Sequence, residues 1–168
     1  MLSVAPEDIY ARKRLITCLK AQGRVKDAIA ATIDQLEIFS TDAELWHELT
    51  MLYASECAFT KAVCASEELL LTDPSSFYNL LVHAELMASS GDWLLARKYY
   101  CKCLQYRSDE ARALWGLLAC LIETKPPPKL SDPMHAKLMC ETKNRLTNAY
   151  TAIDTLSARS ALSILKKV

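Results

Sequence analysis

Cys101 and Cys103 are the closest cysteine pair in the chain, and metal chelation is the chemistry such a pair invites. On a helix, side chains two residues apart diverge by about 200°, so this pair cannot grip one ion. Partly buried free thiols are the expectation. His47, His83 and His135 stand alone, and none has a metal-binding residue one helical turn on; groove-lining or core roles fit them better than catalysis. The adjacent carboxylates Glu67 and Glu68 have no proton donor nearby in sequence and read as a solvated face. No order of Ser, His and Asp suggests a nucleophile elbow. Gly23, Gly91 and Gly116 are too scattered to build a phosphate-cradling loop. The residues therefore predict a protein that is not an enzyme and uses no cofactor and no metal.

Composition agrees. The 168 residues are 51% hydrophobic and 24% charged, enough for one domain or one compact repeat array. Lysine plus arginine equals aspartate plus glutamate at 20 each, which argues against a nucleic-acid partner. The longest uncharged apolar run, Ala113–Ile122, is half of the roughly 20 residues a membrane span needs. The first residues lack the apolar core of a signal peptide. Seven cysteines, an odd number placed within helical patterns, suit a reducing compartment and a cytoplasmic location.

The elements that carry these residues come from internal repetition. Displaced by 34 residues, the sequence aligns Val25 with Phe59 and Trp93, Ala28 with Ala62 and Ala96, and Gly23 with Cys57 and Gly91. Repeats are expected over residues 9–42, 43–76 and 77–110. Residues 111–124 form the first helix of a divergent fourth, and residues 1–8 are the remnant of an earlier one. A Pro-rich linker follows over 125–132, then capping helices over 133–168. Pro133 should open the first of these, capped by Ser131 or Asp132, with an apolar stripe of Met139, Leu146, Tyr150, Ile153 and Leu156. The last carries Leu162, Leu165 and Val168.

The period and residue types resemble the tetratricopeptide repeat family. Trp46, Leu49 and Tyr53 match its first helix, Trp93 the aromatic after its glycine, and Ala28, Ala62 and Ala96 its small second-helix position. The resemblance implies an all-α tetratricopeptide-repeat solenoid of antiparallel helix pairs with C-terminal capping helices. Each column has a physical basis. Alanine lets paired helices approach closely, Gly23 and Gly91 suit left-handed helix ends, and Pro74 cannot continue a helix. Thr41–Glu44 reads as a capping box. The register also places Met1 inside an earlier repeat. Leu15, Ile16, Leu19, Ile29 and Ile33 are therefore expected to lack a neighbour, with fraying or self-association there.

In this family the first helices line a concave binding groove. The corresponding positions here are Tyr10, Lys13, Thr17 and Lys20; Glu44, His47, Met51 and Ala54; Tyr78, Leu81, Glu85 and Ala88; and Arg112, Trp115, Ala119 and Ile122. Met51, Tyr78, Leu81 and Trp115 suit an extended or helical protein segment, unless the capping helices cover Leu81 and Trp115. Receptors that clamp a terminal carboxylate need Lys or Arg in the third such helix, and Phe77–Ala88 contains neither. Charge is also segregated: nine acids and Lys61 alone over Asp34–Asp73, against eight bases and three acids over Lys125–Val168.

Beyond the repeat, the wording of Ala11–Arg14, Lys20–Gly23, Ala43–Leu49, Ala62–Leu70, Ala96–Tyr99 and Arg112–Leu117 is similar to the family of subunit 2 of the ER membrane protein complex. That resemblance implies a non-catalytic scaffold, peripheral on the cytoplasmic face of the endoplasmic reticulum. Its partners would be other protein subunits of a complex that inserts transmembrane segments. The other reading is a free cytosolic adaptor or assembly factor with an unrelated ligand.

Overall fold

The computed structural model describes residues 9–124, 133–151 and 155–167. The expected remnant over 1–8, the linker over 125–132, the caps Ser131 and Asp132, and Ile153 and Val168 lie outside them. Among the described residues every regular element is an α-helix, and the fold is all-α. The chain divides into two compact units, Met1–Asn79 and Leu80–Val168.

The first unit contains α1 (Ile9–Ala21), α2 (Val25–Leu36), α3 (Ala43–Ser55) and α4 (Phe59–Thr72), and it ends within α5 (Phe77–Ser90). Its core packs Ile16 and Leu19 of α1 with Ala28 and Leu36 of α2, Leu45, Leu49 and Leu52 of α3, and Ala65 of α4. Trp46 and Tyr53 close that core at its edge. Ile16 and Leu19, expected to lack a neighbour, are instead buried, because they turn toward α2 and α3. Leu15 and Ile33 stay exposed, at 47% and 38%.

Three turns share one geometry. The Arg24 N–H donates to the Leu19 carbonyl, Ala58 to Tyr53 and Asp92 to Met87, at 2.9–3.0 Å. Each bond spans five residues and satisfies a carbonyl the helix end leaves open. The residue before each donor is left-handed: Gly23 at φ 72°, Cys57 at 55° and Gly91 at 94°. Glycine adopts that conformation without Cβ strain, whereas Cys57 does not.

The start of α3 corrects the expected capping box. Asp42, not Thr41, is the cap: its carboxylate accepts from the N–H groups of Glu44 at 2.9 Å and Leu45 at 3.3 Å. A carboxylate also complements the positive end of the helix dipole better than a hydroxyl.

The second unit contains most of α5, then α6 (Trp93–Tyr106), α7 (Ala111–Glu123), α8 (Pro133–Thr151) and α9 (Leu156–Leu165). Seven residues of α5, among them Leu80, Leu81, His83 and Ala84, are buried, so this helix is apolar on nearly all sides. Gly116 of α7 packs against the Tyr100 ring of α6, and a Cβ there would lie 2.2–2.7 Å from the ring's Cζ and Cε1 and its hydroxyl oxygen. Leu114, Leu118, Leu146 and Leu165 form a core joining α7, α8 and α9. His135 fixes the start of α8, its Nε2–H donating to the Leu121 carbonyl at 3.0 Å.

Candidate functional site

In the first unit, the faces of α1 and α3 carry most of the expected groove residues. Lys13 extends from α1 to the start of α3, where its Nζ lies 2.8 Å from Asp42 Oδ2 and 2.6 Å from Glu44 Oε2. Partial burial alone would lower the Lys13 pKa, but hydrogen bonds to both carboxylates and their charges outweigh it and hold the ammonium above the ordinary lysine value. Burial pulls Asp42 upward. The Lys13 hydrogen bond and the Leu45 N–H outweigh it, and its pKa sits below the usual carboxylate range. Two turns further along α1, Lys20 pairs with Glu48. Between the two ion pairs is a shallow cleft of 170 Å³ lined by Ile16, Thr17 and Leu45 with Lys13, Glu44 and Glu48.

Further along α3, the His47 ring meets Tyr78 at a centroid distance of 5.8 Å, tilted by 35°. Met51 and Tyr78 are half-exposed, and Tyr10 stands 80% exposed at the start of α1. The structure thus brings Lys13, Glu44, His47, Met51 and Tyr78 into two local clusters within one unit. Asp42 was missed because the groove register begins inside the helix at Glu44, two residues past the cap.

In the second unit, two groove candidates whose exposure the sequence left open, Leu81 and Trp115, are withdrawn from the surface. Leu81, for which both an open and a covered position were expected, is only 2% exposed, on a helix with seven buried residues. Trp115 is covered by α8: its indole N–H donates to the Tyr150 hydroxyl at 2.9 Å, with the rings 6.2 Å apart. The helix that covers it follows the break in the repeat, so the period carries no signal for Tyr150. Glu85 and Arg112 remain at the surface as a two-pronged pair, Nε to Oε1 at 2.5 Å and Nη2 to Oε2 at 2.6 Å.

The repeat-packing residues fall in the interior. Ala28, Ala62 and Ala96 are fully buried, Leu49 is buried, and Trp46, Tyr53 and Trp93 are partly so. The Trp46 indole N–H donates to the Ser40 carbonyl at 2.7 Å, holding the ring across the approach to α3.

Nothing in the geometry assembles a reactive centre among the described residues. Burial pushes the Cys103 and Cys120 thiols up to about 11 and raises Cys101 as well, so all three are protonated and weakly nucleophilic at neutral pH. His83 is fully buried, and burial lowers its pKa to about 4. Its ring stands nearly perpendicular to that of Tyr99, at 77° with the centroids 4.4 Å apart. No group of three or more His, Cys, Asp or Glu among the described residues is placed to hold a metal. None of the described helices is long and apolar enough to cross a membrane.

Residues 1–93 match the family described as EMC2 TPR-like repeat domain. The chain is 38% identical to ER membrane protein complex subunit 2-A of Xenopus laevis, over 94% of this chain and 57% of that protein. It is 24% identical to the TPR repeat protein oca3 of Schizosaccharomyces pombe, over 98% of this chain and 59% of that protein. The chain thus spans somewhat over half the length of these relatives. Among solved structures, MamA from Desulfovibrio magneticus superposes with a TM-score of 0.69 at 12% identity, covering 97% of this chain and 96% of that one. YrrB, titled a TPR protein with an unusual peptide-binding site, gives 0.65 at 14% identity, covering 95% and 85%. At such identities the likeness is of the tetratricopeptide fold alone.

Proposed function

The chain belongs to the EMC2 TPR-like repeat domain family, and we propose that it is a non-catalytic scaffold subunit of an ER membrane protein complex. The observation that carries this reading is the 38% identity to a subunit of that name, sustained over 94% of the chain. The protein sits peripherally on the cytoplasmic face of the endoplasmic reticulum and holds other subunits of a complex that inserts transmembrane segments. Insertion itself is the work of membrane-embedded partners. The α1 and α3 faces suit such a role, since they offer preformed charge pairs beside the half-exposed Met51 and Tyr78 for an extended or helical partner segment. Rigid helix pairs hold these side chains in place before binding, which keeps the ordering cost low.

Membrane flotation and affinity purification of the tagged native protein test this. The expected result is flotation with endoplasmic reticulum membranes, lost when integral partners are stripped by detergent, and stoichiometric co-purification of integral membrane subunits. A protein that stays in the soluble fraction with no membrane subunit bound is a free adaptor, and the proposal fails.

A further inference from the structure

A second surface of the first unit, away from the ion-paired clusters, has the character of a docking site. Two troughs adjoin on α2, α3 and α4 and share Tyr53 and Lys61. One, of 460 Å³, is lined by Ile29, Ala30 and Ile33, with Glu56 and Lys26 both at its rim. The other, of 530 Å³, has Trp46, Leu49 and Ala65 as floor and Glu67 and Glu68 as rim. The Lys61 ammonium lies over the Tyr53 ring at 5.7 Å and separates them.

The charges on this surface differ from those on α1 and α3. Asp42, Glu44 and Glu48 each have a lysine partner. Glu56, Glu67 and Glu68 have no cationic partner among the described residues, and they lie in the stretch Asp34–Asp73 that carries nine acids and one base. Lys26 and Lys61 also line the troughs, but neither is ion-paired with these three glutamates, so a cation arriving here gains a carboxylate without breaking an existing ion pair. An apolar floor with an unneutralised acidic rim is complementary to a helix that is apolar on one face and basic on its flanks. Between Thr60 and Glu68 the α4 rim runs about 12 Å, so roughly two turns of such a helix would be seated.

We propose that the two adjoining troughs, over Trp46 and Tyr53 and over Tyr53 and Ile33, together dock a basic amphipathic helix of a partner protein, with its Lys or Arg residues on Glu56, Glu67 and Glu68. The probe is a synthetic amphipathic Leu/Lys helix, with a Leu/Glu helix of the same pattern as control, titrated into the full isotope-labelled chain by NMR. The Leu/Lys helix should shift the Trp46 indole N–H and the Ile29 and Ile33 methyls, and the Leu/Glu helix should not. Glu67→Lys with Glu68→Lys should weaken binding at least tenfold. Asp109→Lys with Glu123→Lys, equal charge reversals in the second unit, should change it less than twofold. All four positions are exposed, and circular dichroism of each variant verifies folding. Shifts that centre on Met51 and Tyr78, or equal weakening by both double variants, would overturn the proposal. So would concentration-dependent shifts at Trp46 without peptide, because a second copy of the chain would then be the occupant.

Discussion

Two single residues carry the strain of the turns and the close packing. Cys57 holds a left-handed backbone at φ 55° in a turn whose two counterparts are glycines. Its side chain is exposed, so the strain is not offset by burial. Cys57→Gly should stabilise the chain by roughly 0.5–1 kcal/mol, the Cβ strain relieved exceeding the added entropy of the unfolded glycine. Urea melts would show a higher midpoint with an unchanged slope, and a lower midpoint would contradict the account. Gly116 is the opposite case. A methyl group there meets the Tyr100 ring, whose buried position leaves it little room to retreat. Gly116→Ala should cost about 1–3 kcal/mol through overpacking, despite the better helix propensity of alanine. In the same melts, a neutral or stabilising outcome would mean that α6 and α7 separate more easily than the packing indicates.

At the scale of elements, α5 owes its pH response to one buried imidazole. His83 titrates near 4 when folded, against about 6.5 when free. Between these values the unfolded chain binds more protons than the folded one, so the contribution is complete above pH 6.5 and fades as pH falls toward 4. At pH 5 the loss is about 2 kcal/mol relative to neutrality. His83→Leu should flatten that part of the stability profile, whatever it does to the absolute value. A profile as steep as that of the parent protein between pH 7 and 5 would show that other groups set the slope. The helices themselves were legible because each level of the sequence agrees: α3, α5 and α7 begin at Ala43, Phe77 and Ala111, 34 residues apart like the alanine, glycine and aromatic columns. Exposure was less legible. Leu81 and Trp115 occupy groove positions by register, but register alone does not set exposure: Leu81 is buried, and Trp115 packs on Tyr150 of α8, which lies outside the repeat. Asp42 was hidden for a simpler reason, since it serves as helix cap and as ion partner of Lys13 at once.

At the scale of the whole molecule, the question is whether the surface ion pairs hold the fold or serve recognition. Exposed pairs of this kind contribute roughly 0–1 kcal/mol each, which is too little to organise a fold with buried leucine cores. Glu85 and Arg112 allow the two roles to be separated, because their contact is two-pronged and lies at the surface. Exchanging them, Glu85→Arg with Arg112→Glu, keeps opposite charges facing each other while reversing their order along the surface. Thermal unfolding of the exchanged protein should stay within about 1 kcal/mol of the parent. If partner subunits read the surface, as the scaffold reading requires, co-purification of membrane subunits with the tagged native protein should fall several-fold and become less sensitive to added salt. Undiminished co-purification would remove this pair from the binding surface and leave the Lys13 and His47 clusters of the first unit to account for it. A large loss of stability would show instead that the pair is structural, since a recognition surface tolerates the exchange and a structural contact does not.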